Sequence, residues 1–177
     1  MKKLSTSQIK IEDKETGYSK EVILKTFRLP NGLRETFFID KGRDSVQIFA
    51  LTTDQSVVVV KQFRPGSERL EVELPGGGVE SNEHLEDAAR RELLEETGYE
   101  GDECVHLCSL PYSPYSTGQR HSFLMVGCRK VADLELDHNE FLEAGTIDFN
   151  EFREMMRKGR VRGFDIAYIA LDKLGLL

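Results

Sequence analysis

The sequence predicts a mixed α/β domain built in layers, not a doubly wound parallel sheet. Three observations carry this expectation. β-prone runs arrive as hairpins joined by short turns. Helical periodicity is confined to a few separate stretches. No regular strand–helix–strand alternation runs through the chain.

The elements follow in order. In "EVILKTFRLPNGLRETFFID" two β-prone runs flank Asn31-Gly32, a pair that tolerates positive φ and so suits a tight hairpin. "DSVQIFAL" and "SVVVVKQFRPG" read as strands around the turn "TTDQ". The second is apolar on both faces from Val57 to Val60, as a central strand is. "RLEVELPGGG" alternates, with Leu70, Val72 and Leu74 on one side and Glu71 and Glu73 on the other. A helix of about 15 residues is expected next, capped by Ser81 or Asn82 and stopped by Gly98. Its buried face is Leu85, Ala88, Ala89 and Leu93. "ECVHLCSL" and "RHSFLMVGCRKV" read as strands around "PYSPYSTGQ", and "EFLEAGTIDF" as a last strand. "NEFREMMRKG", capped by Asn150, and "FDIAYIALDKLGLL" read as helices.

Bulk composition bounds the function. A chain of 177 residues, 39% apolar and 31% charged, is long enough for one domain with a real core. No apolar run approaches the roughly 20 residues of a membrane span. The start "MKKLSTSQIKIEDKETG" lacks an apolar h-region, so a secretory signal is not expected. A net charge of −7 argues against nucleic acid as a partner. Cys104, Cys108 and Cys128 are odd in number and suit core packing better than a disulfide framework, which points to a reducing, cytoplasmic setting.

The chemistry concentrates in "GGGVESNEHLEDAARRELLEETGYE". Glu92 and Glu96 stand four apart, on one helix face, and Glu95 borders that face. Like charges at this spacing destabilise a bare helix by roughly 0.2–0.5 kcal/mol per pair. Glu95 and Glu96 also lie near the C-terminus, where the helix dipole disfavours anions. A solvated face is one reading. A hard divalent cation is the other, because Mg²⁺ favours carboxylate oxygens and keeps waters for phosphate substrates. Arg91 can hold Glu95 at i+4, leaving Glu92 and Glu96 to the metal. The glycine run lets backbone approach a ligand closely and present a carbonyl.

These residues carry a resemblance. The stretch is similar to the signature of the Nudix hydrolases, G-x5-E-x7-R-E-U-x-E-E-x-G-U, with U a bulky aliphatic. Gly77, Glu83, Arg91, Glu92, Leu93, Glu95, Glu96 and Gly98 fill it without a spacing error, and Tyr99 departs at the last U. The resemblance implies an α/β/α sandwich around a mixed β-sheet. It also implies hydrolysis of a nucleoside diphosphate linked to another moiety, with Mg²⁺ as cofactor and Mn²⁺ able to substitute. By motif position Glu92 and Glu96 are the main metal ligands, Glu95 an auxiliary ligand or partner of Arg91, the Gly76 carbonyl a further ligand, and Glu83 a brace.

The flanks narrow the resemblance. "VVVVKQFRPGSERLEVELPGG" is similar to the segment before the motif in ADP-ribose and nucleoside-diphosphate-sugar pyrophosphatases, with Gly76 where those have Ala. This implies Arg64 and Pro114, with Pro111 a close competitor, as substrate-binding residues and Glu140, with Asp137 second, as general base. Residues 1–42 are then an N-terminal β subdomain that dimerises the chain, and 43–177 the Nudix hydrolase domain. Phe27, Phe37 and Phe38 would serve core packing or base stacking. The implied substrate is a nucleoside diphosphate sugar such as ADP-ribose or GDP-mannose, and the implied assembly a homodimer. Rival substrates are dNTPs, dinucleoside polyphosphates and RNA 5′ ends. A non-catalytic nucleotide sensor is a further alternative, although sensors of this kind usually lose motif carboxylates and none is lost here.

Overall fold

The structure is a computed structural model describing residues 1–12, 19–133 and 142–177. The strands are β1 (Lys2–Glu12), β2 (Ser19–Arg28), β3 (Arg34–Asp40), β4 (Ser45–Thr52), β5 (Ser56–Arg64), β6 (Arg69–Glu73), β7 (Tyr99–Glu100), β8 (Glu103–Pro111), β9 (Gln119–Lys130), β10 (Leu142–Asp148) and β11 (Val161–Arg162). The helices are α1 (Leu85–Thr97), α2 (Phe149–Arg157) and α3 (Phe164–Leu174).

The chain divides into two compact units. The first comprises Met1–Asp44 and Leu110–Arg120. It holds a three-stranded antiparallel sheet, β1-β2-β3, so the expected hairpin gains a strand on its outer edge. The turn is the expected one: Gly32 sits at φ 83°, and its amide donates to the Leu29 carbonyl at 2.9 Å. Within this unit Tyr115 stacks on Phe37, with ring centroids 6.3 Å apart, and Phe37 meets Phe27 edge-on.

The second unit, Ser45–Ser109 with His121–Leu177, is the layered domain. The sheet path is β11-β6-β5-β4-β9-β7, with β10 on β5 and β8 on β9. β11 runs parallel to β6 while β5 is antiparallel to its partners, so the sheet is mixed. β5 is central: β10 pairs with Ser56–Gln62, β4 with Val57 and Val58, and β6 with the stretch from Val60 to Arg64. A strand has two hydrogen-bonding edges, so β4 and β6 share the edge opposite β10.

Alternation along the strands builds two cores. Val46, Ile48, Ala50, Val58, Phe123 and Met125 pack with Ala88, Ala89 and Leu93 of α1. Phe49, Val57, Val59 and Leu124 pack with Phe152 of α2 and with Ile166, Ala170 and Leu171 of α3. Neighbouring residues of one strand point to opposite faces, so α1 covers one face and α2 and α3 the other. This is the α/β/α sandwich. Burying a side chain such as Leu93 contributes about 1.5–3 kcal/mol. No helix among the described residues is long and apolar enough to cross a membrane.

Two local expectations are corrected. α1 begins at Leu85 with His84 as its N-cap residue, and Asn82 adopts φ 66° in the preceding turn, so neither Ser81 nor Asn82 caps it. Asp148, not Asn150, caps α2, accepting from the amides of Asn150 and Glu151. In β6, Leu70 is exposed while Glu73 is buried. The three cysteines are free, and burial pushes the Cys104 thiol up to about 11 and the Cys128 thiol up to about 12.

Candidate active site

α1 carries the carboxylates. Ala88, Ala89 and Leu93 fix one stripe of the helix against the sheet. Gly98 closes the helix in the left-handed region, its amide bonded to the Leu94 carbonyl at 2.7 Å. With the helix so pinned, Glu92 and Glu96 are 9% and 6% exposed, far too buried for a merely solvated charged face.

The loop Pro75-Gly76-Gly77 supplies the other wall. The Pro75 and Gly77 carbonyls accept from the amides of Ile48 and Val46 in β4, each at 2.9 Å. The Gly76 amide donates instead to Glu96 Oε2 at 2.8 Å. Successive carbonyls alternate in direction along extended backbone, so the Gly76 carbonyl is directed away from β4. Gly76 has φ 152°, and a Cβ there would stand 2.2 Å from the Val46 carbonyl oxygen. At Gly77 a Cβ would fall 2.4 Å from Glu92 Oε2. Both carboxylates thus close on the Gly76-Gly77 backbone; the missing side chain at Gly77 leaves Glu92 its room, and that at Gly76 lets the loop lie against β4.

Arg91 ties the site together. Its Nε and Nη2 donate to the two oxygens of Glu83 at 2.8 and 3.0 Å. Its Nη1 donates to Glu95 Oε2 at 2.8 Å and to Glu92 Oε1 at 2.9 Å, and Nη2 also reaches the Gly78 carbonyl at 2.9 Å. One positive charge therefore serves three carboxylates. The Arg91 pair holds the Glu83 carboxyl below its ordinary range, and Glu83 in turn raises the already high pKa of Arg91. Arg91 does hold Glu95, but it also engages one oxygen of Glu92, which the spacing had assigned wholly to metal.

Among the described residues no three Asp, Glu, His or Cys side chains form a ready metal cluster. Two buried carboxylates facing a glycine cradle still make an all-oxygen donor set. That fits a hard divalent cation that keeps several waters.

The remaining expected residues fall elsewhere. Arg64, at the end of β5, donates from Nε and Nη2 to the two oxygens of Glu73, both at 2.6 Å. Pro114 is exposed in the Leu110–Arg120 segment of the first unit. Glu140 and Asp137 lie outside the described residues. The sequence reading placed Glu73 on the face opposite Leu70, Val72 and Leu74 but gave it no role. The available signal was an acid beside Pro75-Gly76, in the hairpin that also carries Arg64.

A family model described as the NUDIX domain matches residues 41–165. The chain belongs to the Nudix family. Its motif carboxylates are all present, and it is a Nudix hydrolase. Over 170 residues it is 31% identical to an ADP-ribose pyrophosphatase of Bacillus subtilis (strain 168), covering 95% of this chain and 92% of that one. It is 30% identical to the methanol dehydrogenase activator of Bacillus methanolicus, covering 86% and 84% of the two chains. The crystal structure of an ADP compounds hydrolase matches with a TM-score of 0.79 at 19% identity, over 100% of this Nudix chain and 98% of that one. At that identity the likeness speaks for the fold.

Proposed function

We propose that this Nudix hydrolase cleaves the diphosphate of nucleoside diphosphate sugars, such as ADP-ribose or GDP-mannose, to a nucleoside monophosphate and a sugar phosphate. The observation that carries the chemistry is the closure of Glu92 and Glu96 on Gly76-Gly77. Similarity to an ADP-ribose pyrophosphatase over nearly the whole of both chains supports a sugar nucleotide over a dNTP, a dinucleoside polyphosphate or an RNA 5′ end.

In this reading the Gly76 carbonyl, Glu92, Glu95 and Glu96 hold Mg²⁺, with Mn²⁺ as a substitute. When bound, such an ion supplies charge neutralisation for the diphosphate and acidifies a coordinated water. The protein's own groups do the rest. Arg91 fixes the rotamers of Glu92 and Glu95 so that their oxygens are positioned before substrate arrives. Arg64 and Pro114 contact the substrate. Glu140, or Asp137 in second place, accepts the proton of the attacking water. The leaving phosphate departs as an anion, and positioning with electrostatics carries the displacement. Residues 1–42 mediate a homodimer, and the enzyme works in the cytoplasm.

A substrate panel with Mg²⁺ tests the proposal. ADP-ribose and GDP-mannose should each give two phosphate monoesters, and Glu96→Gln should abolish turnover while the protein stays folded. Turnover of dGTP or a diadenosine polyphosphate with neither sugar nucleotide cleaved would overturn the substrate assignment. Near-wild-type activity in Glu96→Gln would overturn the site.

A further inference from the structure

The β5–β6 hairpin contains a buried carboxylate with no part in the chemistry above. Glu73 is 3% exposed, and both of its oxygens accept from Arg64, whose side chain is 40% exposed. The two residues are not neighbours in the ladder. Arg64 stands opposite Arg69, whereas Glu73 stands opposite Val60. Directly opposed residues share a face, so Arg64 and Glu73 lie on one face but four positions apart. At about 3.3 Å per residue that is about 13 Å of strand. The Arg64 side chain must therefore lie back along the hairpin to reach Glu73.

A nearer acid is passed over. Glu71 lies between the two on the same face, opposite Gln62. It accepts from the Ser67 hydroxyl and, at 2.9 Å, from Arg162 Nη1. With Glu71 so engaged, the guanidinium goes to the further acid. Glu73 is followed directly by Leu74, Pro75 and Gly76, the start of the glycine cradle. The pull on Arg64 is thus toward the catalytic end of the hairpin. Glu73 binds the Nε–Nη2 edge in fork geometry, which fixes the plane of the group and the direction of its other edge.

We infer that Glu73 is a positioning residue: it draws the Arg64 guanidinium back along the hairpin and sets its orientation for a phosphate-bearing substrate. This rests on the proposed reading of Arg64 as substrate-binding. Glu73 acts only through Arg64, so the two should behave as one unit in a double-mutant cycle.

The test is steady-state kinetics on ADP-ribose with Mg²⁺ for the full chain, with thermal unfolding in parallel. Arg64→Lys keeps the charge but loses the fork, and should lower kcat/KM by about tenfold. Glu73→Gln, isosteric and neutral, should give a similar loss carried by KM, with kcat within about threefold of wild type. The double variant should be no worse than either single one, and Glu71→Gln should match wild type. If Glu73→Gln yields no folded protein, Glu73→Asp keeps the charge, shortens the reach by one methylene and should raise KM in the same way. If ADP-ribose is not hydrolysed, the substrate proposal fails on its own, and the cycle is read on whichever panel substrate is cleaved. An Arg64→Lys variant indistinguishable from wild type overturns the reading of Arg64, and the inference with it. A loss in Arg64→Lys with none in Glu73→Gln, multiplying losses in the double variant, or an equal loss in Glu71→Gln overturns the positioning role alone.

Discussion

Substituting alanine at each of the three consecutive glycines separates folding from chemistry. At Gly77 a new Cβ would stand 2.4 Å from Glu92 Oε2 and 2.6 Å from its Cδ. Nonbonded contacts settle near 3.5 Å, so the carboxylate must retreat by about 1 Å. The moving group is the end of a side chain and Gly77 is not at positive φ, so the fold tolerates the change. Unfolded-state entropy even favours alanine by about 0.4–1 kcal/mol. Displacing a reacting group by about 1 Å costs on the order of 100-fold in rate, or about 2.7 kcal/mol. Gly77→Ala should therefore melt at or slightly above the wild-type temperature yet lose about two orders of magnitude in kcat. Gly78 has nothing within 4 Å of its would-be Cβ, so Gly78→Ala should be active. Gly76→Ala meets the Val46 carbonyl oxygen at 2.2 Å from a backbone at φ 152°. It should lose about 2–3 kcal/mol, or about 5–10 °C in Tm. Melting curves and initial rates on the same preparations check the series. A Gly77→Ala enzyme within threefold of wild type, or equal losses at Gly77 and Gly78, would refute the geometry on which the site rests.

Two further outcomes concern ionisation. Glu83 has a carboxyl pKa lowered chiefly by Arg91, so the native state holds its proton less tightly than the unfolded chain. Its contribution is complete above the unfolded value near 4.5 and fades as pH falls through the lower native value. In chelator, the Tm of wild type should thus drop more steeply than that of Glu83→Gln as the buffer is taken from about pH 6 to about pH 3.5; parallel curves would remove Arg91–Glu83 as a stabilising pair. Cys128, with its thiol pushed up to about 12 by burial, should resist iodoacetamide at neutral pH in the folded protein and react once denatured. Rapid labelling without denaturant, read by peptide mapping, would contradict its place in the core.

The layered fold and the motif helix were legible because each rests on a local rule. A four-residue valine run marks a strand buried on both faces, and Val57 to Val60 are all buried at the centre of the sheet. Gly98 marks a helix stop, and it sits in the left-handed cap. The misses differ in cause: two are helix starts displaced by local backbone, and one is a buried partner that short-range patterns do not contain. Asn82 takes up positive φ in the turn before α1, so the chain enters the helix at His84 without a side-chain cap. Asp148 caps α2 from the end of β10, one residue outside the helix itself. Alternation in β6 put Glu71 and Glu73 on one face but did not say which face is covered: Arg64 gives Glu73 a buried partner, while Leu70, beside the turn of the hairpin, stays exposed.

The like charge on α1 can now be explained from the geometry. A helix carrying Glu92, Glu95 and Glu96 beside Glu83 would repel itself if stability alone governed the sequence. Arg91 reduces that repulsion by engaging Glu83, Glu92 and Glu95, but one guanidinium cannot neutralise three carboxylates. Glu92 Oε2 faces Gly77, and Glu96 Oε2 accepts from the Gly76 amide. In the proposed reading a second guanidinium at that point would fill the cradle and present donors where the diphosphate's counter-ion is to be held. In that reading the carboxylate charge on α1 serves the site rather than the stability of the helix. It also explains why the sequence departs from ordinary helix design at Glu95 and Glu96, in the last turn before Gly98, where a helix built only for stability would place a cation.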